Sequence, residues 1–266
     1  MVELVVAGAA GRMGGRIIAL AREAADLRVS GAFERPGHPS LGRDAGELAG
    51  VGHLGVPIAA DPAPLLGRGR ILVEFTAPEP TLEHLRLAAA GGAGAVVGTT
   101  GLQPVQVDEI RRLAARVPIL QSPNMSVGVN LAFRVLALIA KALGDDYDVE
   151  ITEIHHRMKK DAPSGTAAKM AEVIAEALGR RIEDAGVYGR HGLVGERRPK
   201  EIGVHALRGG DVVGDHTVVF STVGERLELT HRAHSRDTFA HGALRAARFV
   251  ATAPPGLYSM LDVLGL

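Results

Sequence analysis

Short apolar runs alternate with amphipathic stretches through the first half of the chain. Residues 4–7 are apolar, and apolar side chains then recur at helical spacing from Met13 to Leu20. A short apolar run is typical of a buried strand, whereas apolar positions at i, i+3 and i+4 are typical of a helix. A further strand-like run lies at 27–35, and the order of strand and helix recurs at 70–92, 93–117 and from 118 onwards. This alternation predicts right-handed crossovers and a parallel sheet.

The second half of the chain has a different pattern. An apolar-faced helix is predicted at 131–146, and residues 147–156 alternate between apolar and polar, as in a half-buried strand. A second helix, with Ser164 as its N-cap, is predicted at 164–179. Strand-like runs with glycine turns within 201–233 predict a mixed or antiparallel sheet in a second domain. The last helix is predicted at 235–250, and we expect residues 256–266 to pack on the first domain.

Three glycines, Gly8, Gly11 and Gly14, separate the first predicted strand from the first helix. In dinucleotide-binding proteins such glycines let the backbone approach a pyrophosphate, which the helix N-terminus stabilises. Ala10 stands where a glycine is usual, so the motif is a variant, and an ordinary glycine-rich turn is the alternative. The next strand ends in Glu34 and Arg35. Glu34 suits the ribose of NAD and Arg35 the 2′-phosphate of NADP, although an exposed acid–base pair is also compatible.

Polar segments follow three later strands of the first half. They are Thr76-Ala77-Pro78, Gly98-Thr99-Thr100-Gly101 and Ser122-Pro123-Asn124. Ligands of open parallel sheets bind outside the carboxyl ends of the strands, where these segments would lie. The pattern therefore predicts an α/β protein, with a Rossmann-type parallel-sheet cofactor domain followed by a second α+β domain with a mixed sheet.

Composition narrows the classes of partner. Lys plus Arg and Asp plus Glu number 30 each, and aromatic residues make up 3% of the chain, which disfavours nucleic acid and anionic membranes. The absence of cysteine excludes disulfides and Cys-ligated metals. The N-terminus does not resemble a signal peptide, and no apolar run reaches the roughly 18 residues of a membrane span. We expect a cytoplasmic protein with no nucleic-acid or membrane partner.

The segment "EIHHRMKKDAPSGTA", residues 153–167, concentrates cationic side chains before a helix start. His155 and His156 would point to opposite faces of a strand, so both serve one cleft only if the strand ends there. A histidine can supply a proton near neutral pH, and the first amides of the helix, at Gly165 and Thr166, can bind an anion. This combination suits a small, multiply anionic substrate that is protonated as it reacts.

Other interpretations of this segment stay open at this point. A solvated basic loop would have the same composition. Adjacent histidines lack the i, i+4 spacing of a helical zinc site, which disfavours a metal. Arg208 and His216 flank a predicted Gly-Gly-Asp hairpin, which either covers a site or is simply a turn.

Taken together, the motifs resemble the dihydrodipicolinate reductases (4-hydroxy-tetrahydrodipicolinate reductases) of lysine biosynthesis. The resemblance covers nearly the whole chain, and its most specific element is "HHRMKKDAPSGTA". The segments that carry it are, in order, "GAAGRMG", "FER", "GTTG", "SPNMSVGVN", "EIHHRMKKDAPSGTA", "RGGDVVGDHTV" and "ERLELTHRAHSRDTFAHGAL".

The resemblance implies an NADH- or NADPH-dependent reductase of 4-hydroxy-tetrahydrodipicolinate in the diaminopimelate and lysine pathway. A hydride would pass to the ring of this dicarboxylate, with His155 as proton donor and Lys159 as the second catalytic residue, and no metal would take part. The implied substrate-binding residues are His156, Lys159, Ser164, Gly165 and Thr166. The implied cofactor contacts are Gly8, Ala9, Ala10, Gly11, Arg12, Met13, Glu34, Arg35, Gly98, Thr99, Thr100, Ser122, Pro123, Asn124 and Met125.

The resemblance also implies a domain organisation and an assembly. Residues 1–126 and 241–266 would form the dinucleotide-binding domain, and residues 127–240 the substrate-binding and oligomerisation domain of a homotetramer. Two alternatives remain. A different Rossmann reductase of amino-acid metabolism is disfavoured by the "HHRMKKDAPSGTA" element. A non-catalytic, NAD(P)-sensing regulatory protein would bind the nucleotide without turnover.

Overall fold

The computed structural model describes residues 1–266. In chain order its strands are β1 (Val2–Ala7), β2 (Leu27–Phe33), β3 (Ile58–Ala59), β4 (Arg70–Glu74), β5 (Gly94–Val97), β6 (Pro118–Gln121), β7 (Asp148–His155), β8 (Gly186–Tyr188), β9 (Ile202–Arg208), β10 (Gly214–Thr222), β11 (Glu225–Ala233) and β12 (Gly256–Tyr258). Its helices are α1 (Arg12–Glu23), α2 (Ala45–Ala49), α3 (Pro78–Gly91), α4 (Pro104–Ala114), α5 (Val127–Leu143), α6 (Gly165–Ala177), α7 (Ile182–Ala185), α8 (Asp237–Val250) and α9 (Met260–Leu264). The chain divides into two compact units, Met1–Val127 with Asp237–Leu266, and Gly128–Arg236.

The first unit contains a parallel sheet with strand order β12-β6-β5-β4-β1-β2-β3. The order reverses between β1 and β4, the place where open α/β sheets bind their ligands. The side chains of successive residues in β1 point to opposite faces of this sheet. Leu4 and Val6 pack with α1 and α8, whereas Val5 and Ala7 pack with α3 and α4. A strand buried on both faces has a continuous apolar sequence, which is why residues 4–7 predicted it.

The end of the chain returns to the first unit. Strand β12 adds to the sheet edge parallel to β6, with Leu257 opposite Ile119. At the start of α8, Asp237 accepts two hydrogen bonds from Arg16 of α1, at 2.7 and 2.8 Å. Residues 237–266 therefore complete the layer of helices that covers α1's side of the sheet.

The second unit is built on a five-stranded sheet with order β11-β10-β7-β9-β8. Strand β7 runs parallel to β9 and antiparallel to β10, which confirms the predicted mixed sheet. Helices α5 and α6 cover one face, where Leu136 and Ile174 pack on Ile151 and Val218. The fold class predicted from the sequence, a Rossmann-type sheet plus an α+β unit, is confirmed.

The predicted hairpin between Arg208 and His216 is wrong. Strands β9 and β10 do not pair with each other, because β7 lies between them and pairs with both. Residues between 208 and 214 cross over the end of β7 instead. The glycines at 209 and 210 marked a change of direction correctly, but local sequence does not determine which strand becomes the neighbour.

A charged cluster lies on the face of the second sheet opposite α5 and α6. Glu150 accepts hydrogen bonds from Arg190 (2.9 Å, twice), Arg197 (3.0 Å) and His205 (2.7 Å). Burial opposes ionisation, but the hydrogen bonds from Arg190, His205 and Arg197 outweigh it and lower the pKa of Glu150 to about 2. Gly203 provides the space, since a Cβ there would lie 1.8 Å from the carboxylate.

One segment contradicts the expectation that no run is long and apolar enough for a membrane span. Val127–Asp146 meets that test by length and composition, with a mean hydropathy of 1.6, and 28% of it is buried within the chain. Its buried residues include Ala132, Leu136 and Ala140, which pack in the core of the second unit. A core helix passes the same test, so length and composition alone do not establish a span.

We predict that Gly14→Ala and Gly15→Ala have opposite effects on stability. A Cβ at Gly14 would lie 2.3 Å from the carbonyl oxygen of Gly8 and 2.8 Å from Cα of Ala9, so the backbone must move. At Gly15 a Cβ meets nothing within 4 Å, and alanine is the better helix former. Thermal and urea unfolding should show a loss of about 2 kcal/mol or more for Gly14→Ala. Gly15→Ala should be neutral or gain up to about 1 kcal/mol. Equal losses would contradict the predicted close approach.

Candidate active site

The glycine turn lies at the carboxyl end of β1, where the order of the first sheet reverses. Gly8 has a positive φ of 60°, and Gly11 donates to the carbonyl oxygen of Gly8 at 2.9 Å. No side chain caps the first turn of α1, which begins at Arg12. With no Cβ at Gly8 or Gly14 and uncapped helix amides, this turn has the geometry that accommodates a pyrophosphate.

Glu34 lies against this turn. Its Oε1 atom accepts a hydrogen bond from the backbone N–H of Ala10 at 3.1 Å, and its Oε2 atom accepts one from the N–H of Arg35 at 3.3 Å. Glu34 is half-buried and Arg35 is exposed. The predicted acid is therefore held beside the pyrophosphate-type turn, while the predicted basic residue extends into solvent.

The other predicted cofactor residues follow β5 and β6. A Cβ at Gly98 would lie 2.1 Å from the ring of Phe75, so only glycine fits there. The Ser122 hydroxyl donates to the carbonyl oxygen of Asn124 at 2.7 Å, which closes the turn. The side chains of Ala9, Thr99 and Met125 are buried. A ligand would meet the backbone of these three residues rather than their side chains.

Sequence reasoning missed Glu74, a fully buried carboxylate at the end of β4. Glu74 accepts hydrogen bonds from the backbone N–H and the hydroxyl of Thr76, at 2.8 and 2.5 Å, and pairs with Nδ1 of His84 at 2.6 Å. The methyl group of Thr76 lies 3.0 Å from the position of a Cβ on Gly8. Glu74 thus holds Thr76 against the glycine turn. A lone acid inside an apolar run was the available signal.

In the second unit, β7 ends at His155, as the argument about two adjacent histidines requires. The N–H of His156 donates to the carbonyl oxygen of Val212 at 2.7 Å, and the N–H of Gly209 donates to the carbonyl oxygen of His155 at 2.9 Å. The chain leaves the sheet here through a turn in which Lys159 N–H donates to the carbonyl oxygen of His156. His155 is buried, whereas His156 and Lys159 are half-buried.

Glu153 lies beneath His155 on the same face of β7 and is fully buried. Its carboxylate is bonded to Nδ1 of His155 at 2.5 Å, to both terminal nitrogens of Arg208 at 2.8 and 2.9 Å, and to the N–H of Ser164 at 3.0 Å. Burial opposes its ionisation, but the hydrogen bonds from Arg208, His155 and Ser164 outweigh it, so the pKa of Glu153 is lowered.

Two histidine rings meet edge to face in this site. The centroids of His155 and His216 are 5.1 Å apart, and Nε2 of His216 lies 3.1 Å from the hydroxyl of Ser164. Burial, together with a smaller effect of the charge on a protonated His155, lowers the pKa of His216 to about 4. Burial also lowers the pKa of His155, and the hydrogen bond that its Nδ1 donates to Glu153 opposes this only in part. Both rings are therefore neutral at pH 7 in the free protein.

The remaining predicted residues surround this pair. Lys159 forms an ion pair with Asp161 at 2.9 Å, and this pairing lowers the pKa of Asp161. The Ser164 hydroxyl accepts a hydrogen bond from Ala167 N–H and caps α6, as predicted. A Cβ on Gly165 would meet nothing within 4 Å, so the first turn of α6 is open to a ligand there. The site thus combines an ammonium group, an imidazole and an open helix start.

Several residues of this site were not recognised from the sequence. Glu153 was visible only as an acid at an apolar position of the β7 alternation, while Arg208 and His216 were noted only as flanks of a hairpin. Nothing in the sequence pattern singled out Gly214 as a residue of the site. A Cβ there would lie 2.9 Å from Nε2 of His155, so the glycine leaves room beside that atom.

Two other features bear on where ligands bind. No group of three or more His, Cys, Asp or Glu side chains is arranged to hold a metal ion. A cavity of about 600 Å³ lies at the amino ends of β2 and β4, where Arg28 and Arg70 line it. Ligands of parallel sheets bind at the opposite, carboxyl ends, so we place the candidate cofactor site at the glycine turn rather than in this cavity.

Sequence profiles establish the family. The profile for "Dihydrodipicolinate reductase, N-terminus" matches residues 2–125, and that for "Dihydrodipicolinate reductase, C-terminus" matches residues 128–264. The chain belongs to the dihydrodipicolinate reductase family. It is 52% identical over 265 residues to the 4-hydroxy-tetrahydrodipicolinate reductase of Syntrophus aciditrophicus, covering 100% of this chain and 99% of the relative. It is 53% identical over 266 residues to that of Citrifermentans bemidjiense, covering all of both chains. The resemblance drawn from the motifs is thus confirmed, and the chain is an oxidoreductase.

Solved structures share the fold. A Paenisporosarcina dihydrodipicolinate reductase with dipicolinate bound superposes with a TM-score of 0.78, at 22% identity and 98% coverage of both chains. The dehydrogenase GenD2, solved with NAD, gives a TM-score of 0.62 at 13% identity, covering 99% of this chain and 90% of its own. At these identities the likeness concerns the fold. Membership of a Rossmann-type dehydrogenase family implies a nicotinamide cofactor.

We predict that Gly214→Ala displaces the imidazole of His155 and lowers reductase activity roughly ten- to hundredfold, because a small misplacement of a reacting group is costly. Gly209→Ala is the matched control, since a Cβ there meets nothing within 4 Å and the N–H that donates to His155 is kept. Steady-state rates and the melting temperature of both variants check the prediction. Full activity in Gly214→Ala would show that the ring tolerates the added methyl group.

Proposed function

We propose that this protein reduces 4-hydroxy-tetrahydrodipicolinate to tetrahydrodipicolinate with NADH or NADPH, in the diaminopimelate and lysine pathway. Relatives more than 50% identical over the full chain carry this activity in their names. The proposal rests on one observation. His155, Lys159 and the open start of α6 lie around one point of the second unit. These are a proton donor and two anion-binding groups.

Substrate capture rests on charge. The substrate carries two carboxylates, and Lys159 supplies a mobile ammonium group that Asp161 occupies in the free protein. The start of the 13-residue helix α6 supplies backbone N–H groups at Gly165 and Thr166, where the helix dipole favours an anion. One carboxylate at α6 and one near Lys159 and His156 would hold the ring beside His155. In this arrangement the substrate replaces Asp161 as the partner of Lys159.

Protonation is assigned to His155. Its Nε2 atom lies beside Gly214, where no side chain obstructs it, and its Nδ1 atom is occupied by Glu153. As the hydride reaches one carbon of the ring, the electron pair that develops on the neighbouring carbon takes the proton from Nε2. Solvent then returns a proton to the imidazole. Because the substrate also loses its 4-hydroxyl group as water, the overall balance is one hydride and one proton gained and one water lost.

The first unit is proposed as the dinucleotide-binding domain and residues 128–236 as the substrate-binding domain. The turn from Gly8 to Gly14 fits a pyrophosphate because two Cβ positions are empty, and Glu34 lies where a ribose diol would donate to it. When bound, the nicotinamide supplies the hydride. Backbone groups of residues 98–100 and 122–125, at the ends of β5 and β6, would hold and orient it.

We also propose a cytoplasmic homotetramer. The support is the second sheet's face opposite α5 and α6, which no helix of this chain covers. Leu207 is 45% exposed on that face, and Ile154 and Val219 are half-exposed beside it. Apolar side chains on an uncovered sheet face favour burial against another copy.

The alternative of a non-catalytic NAD(P) sensor leaves the second site unexplained. A sensor needs the glycine turn but has no use for a buried histidine paired with a carboxylate, with a glycine beside its Nε2 atom. Turnover by the wild-type protein separates the two, because a sensor binds the nucleotide without oxidising it.

We predict that Lys159→Ala lowers kcat/KM for freshly generated 4-hydroxy-tetrahydrodipicolinate by about 100-fold or more, since a charged partner of the substrate is lost. The dissociation constant for NADH should stay within about twofold, because Lys159 belongs to the second unit. Lys160→Ala is the matched control, as Lys160 is exposed and should leave activity near wild type. NADH oxidation followed by absorbance, with NADH binding by calorimetry, provides both values. Tight NADH binding without turnover in the wild type would contradict the proposed function.

Arg35→Ala is predicted to raise KM for NADPH about tenfold while changing KM for NADH little, because only NADPH carries the 2′-phosphate. Glu34→Gln should do the reverse, since it weakens the acceptor for the ribose hydroxyls of NADH. Initial rates with each cofactor in the two variants test this pair. Equal losses for both cofactors in Arg35→Ala would remove its assigned role.

A further inference from the structure

Glu153 is a buried charge that the proposed proton transfer does not use directly. It is fully buried, and four donors surround it. Oε2 is bonded to Nδ1 of His155 and to Nη1 of Arg208, and Oε1 to the N–H of Ser164 and Nη2 of Arg208. An ion of this kind is costly to bury unless its hydrogen bonds are satisfied, as they are here.

The carboxylate fixes which nitrogen of His155 carries a hydrogen. An ionised carboxylate only accepts hydrogen bonds, so at 2.5 Å the Nδ1 atom must be the donor. In the neutral ring, Nε2 is then the atom without a hydrogen, and it is the atom that takes up and releases a proton. Nε2 is also the atom that Gly214 leaves unobstructed.

We propose that Glu153 is a positioning residue for the proton donor: held anionic by Arg208, it keeps His155 in the Nδ1-protonated tautomer, so that Nε2 alone exchanges a proton with the substrate. The inference rests on the proposed function for the identity of the substrate. The tautomer itself is a property of the free protein and can be measured without turnover.

Arg208 binds the carboxylate of Glu153 through both terminal nitrogens of its guanidinium group. It bonds both oxygens of Glu153, and its two terminal nitrogens also donate to the carbonyl oxygens of Leu207 and Asp161, each at 2.6 Å. A protonated Glu153 could donate to Nδ1 and move the ring hydrogen to Nε2, the wrong atom. The paired charge of Arg208 disfavours that state.

Titratable or permanently charged groups lie around His155 on four segments. Glu153 lies on its own strand, Arg208 on β9, His216 on β10 and Lys159 on the loop after β7. Burial, Lys159 and Arg208 lower the pKa of His155, and Glu153 is the anion that raises it. Removing Glu153 would remove the anion that favours protonation of the ring.

The test is Glu153→Gln, examined by long-range proton–nitrogen NMR of labelled histidine in the free, full-length protein. The signals of His155 are identified by their loss in His155→Asn. We expect the Nδ1-protonated form in the wild type and a shift towards the Nε2-protonated form in Glu153→Gln, because the amide NH₂ can donate to Nδ1. The pKa of His155 should fall, since an anion that favours the imidazolium is gone.

Glu150→Gln is the matched control. Glu150 lies on the same strand, is likewise held by arginines, and faces the opposite side of the sheet. It should leave the tautomer and the pKa of His155 unchanged. A general loosening of the fold would move the pKa of His155 up towards its ordinary value, so a fall in Glu153→Gln alone is not explained by lost packing.

Kinetics provide a second readout. Glu153→Gln should lower kcat about 10- to 100-fold, the range typical of residues that orient an imidazole through its other nitrogen, with the NADH dissociation constant unchanged. Because the reaction needs protonated His155, the basic limb of the kcat profile should move to lower pH. An unchanged tautomer with an unchanged basic limb would overturn the proposal.

If Glu153→Gln does not fold, Arg208→Gln decides. Without this paired charge Glu153 is protonated more easily and can donate to Nδ1, so the tautomer of His155 should shift towards the Nε2-protonated form as the pH falls. No change in the tautomer would overturn the proposal.

The proposed function and the positioning role of Glu153 fail separately. Wild-type protein without turnover contradicts the proposed function and leaves the tautomer result standing, whereas turnover with unaltered histidine signals in Glu153→Gln contradicts only the positioning role.

Discussion

The second unit is organised around the buried carboxylate of Glu153. It joins the end of β7 to Ser164 at the cap of α6, 11 residues away, and to Arg208 at the end of β9, 55 residues away. A buried anion must find donors, because an unpaired charge in an apolar interior costs several kcal/mol. Meeting that requirement places the imidazole, the helix start and the arginine within reach of one another. The chemistry of the site therefore depends on how this one charge is compensated.

The candidate sites of the two units, taken separately, also depend on missing side chains. Gly14 lets α1 approach the backbone of the glycine turn, and Gly214 leaves space at Nε2 of His155. Under the proposed function, the space in the first unit would admit a ligand's phosphates to the backbone, and the space in the second would give the substrate access to that nitrogen. A buried acid supports each place, since Glu74 holds Thr76 against the turn and Glu153 holds His155.

Sequence patterns predicted the structure correctly where a feature depends on residues that are close together in the chain. Alternating strands and helices in the first half predicted the parallel sheet, and Ser164 was recognised as a cap because its partner is three residues away. Patterns failed where a feature depends on a strand or residue that is distant in the sequence. The predicted hairpin at 208–216 was wrong because β7 inserts between its strands. The helix predicted at 131–146 begins earlier, and Val127–Asp146 is long and apolar enough to pass the length-and-composition test for a span. The short strands β3, β8 and β12 have too few residues to show a period.

The sequence by itself determined the fold class, the family, and the segment that contains the cationic residues, because periodicity, capping and motif spacing are properties of consecutive residues. Tertiary structure alone decided that Glu153 and Arg208 meet beneath His155, that Gly214 lies against its Nε2 atom, and that Glu34 bonds the glycine turn. These pairings join residues that are 24 to 59 positions apart in the sequence. Glu34 and Ala10, for example, are 24 positions apart. Burial and charge compensation act on distance in space, which the order of residues does not contain.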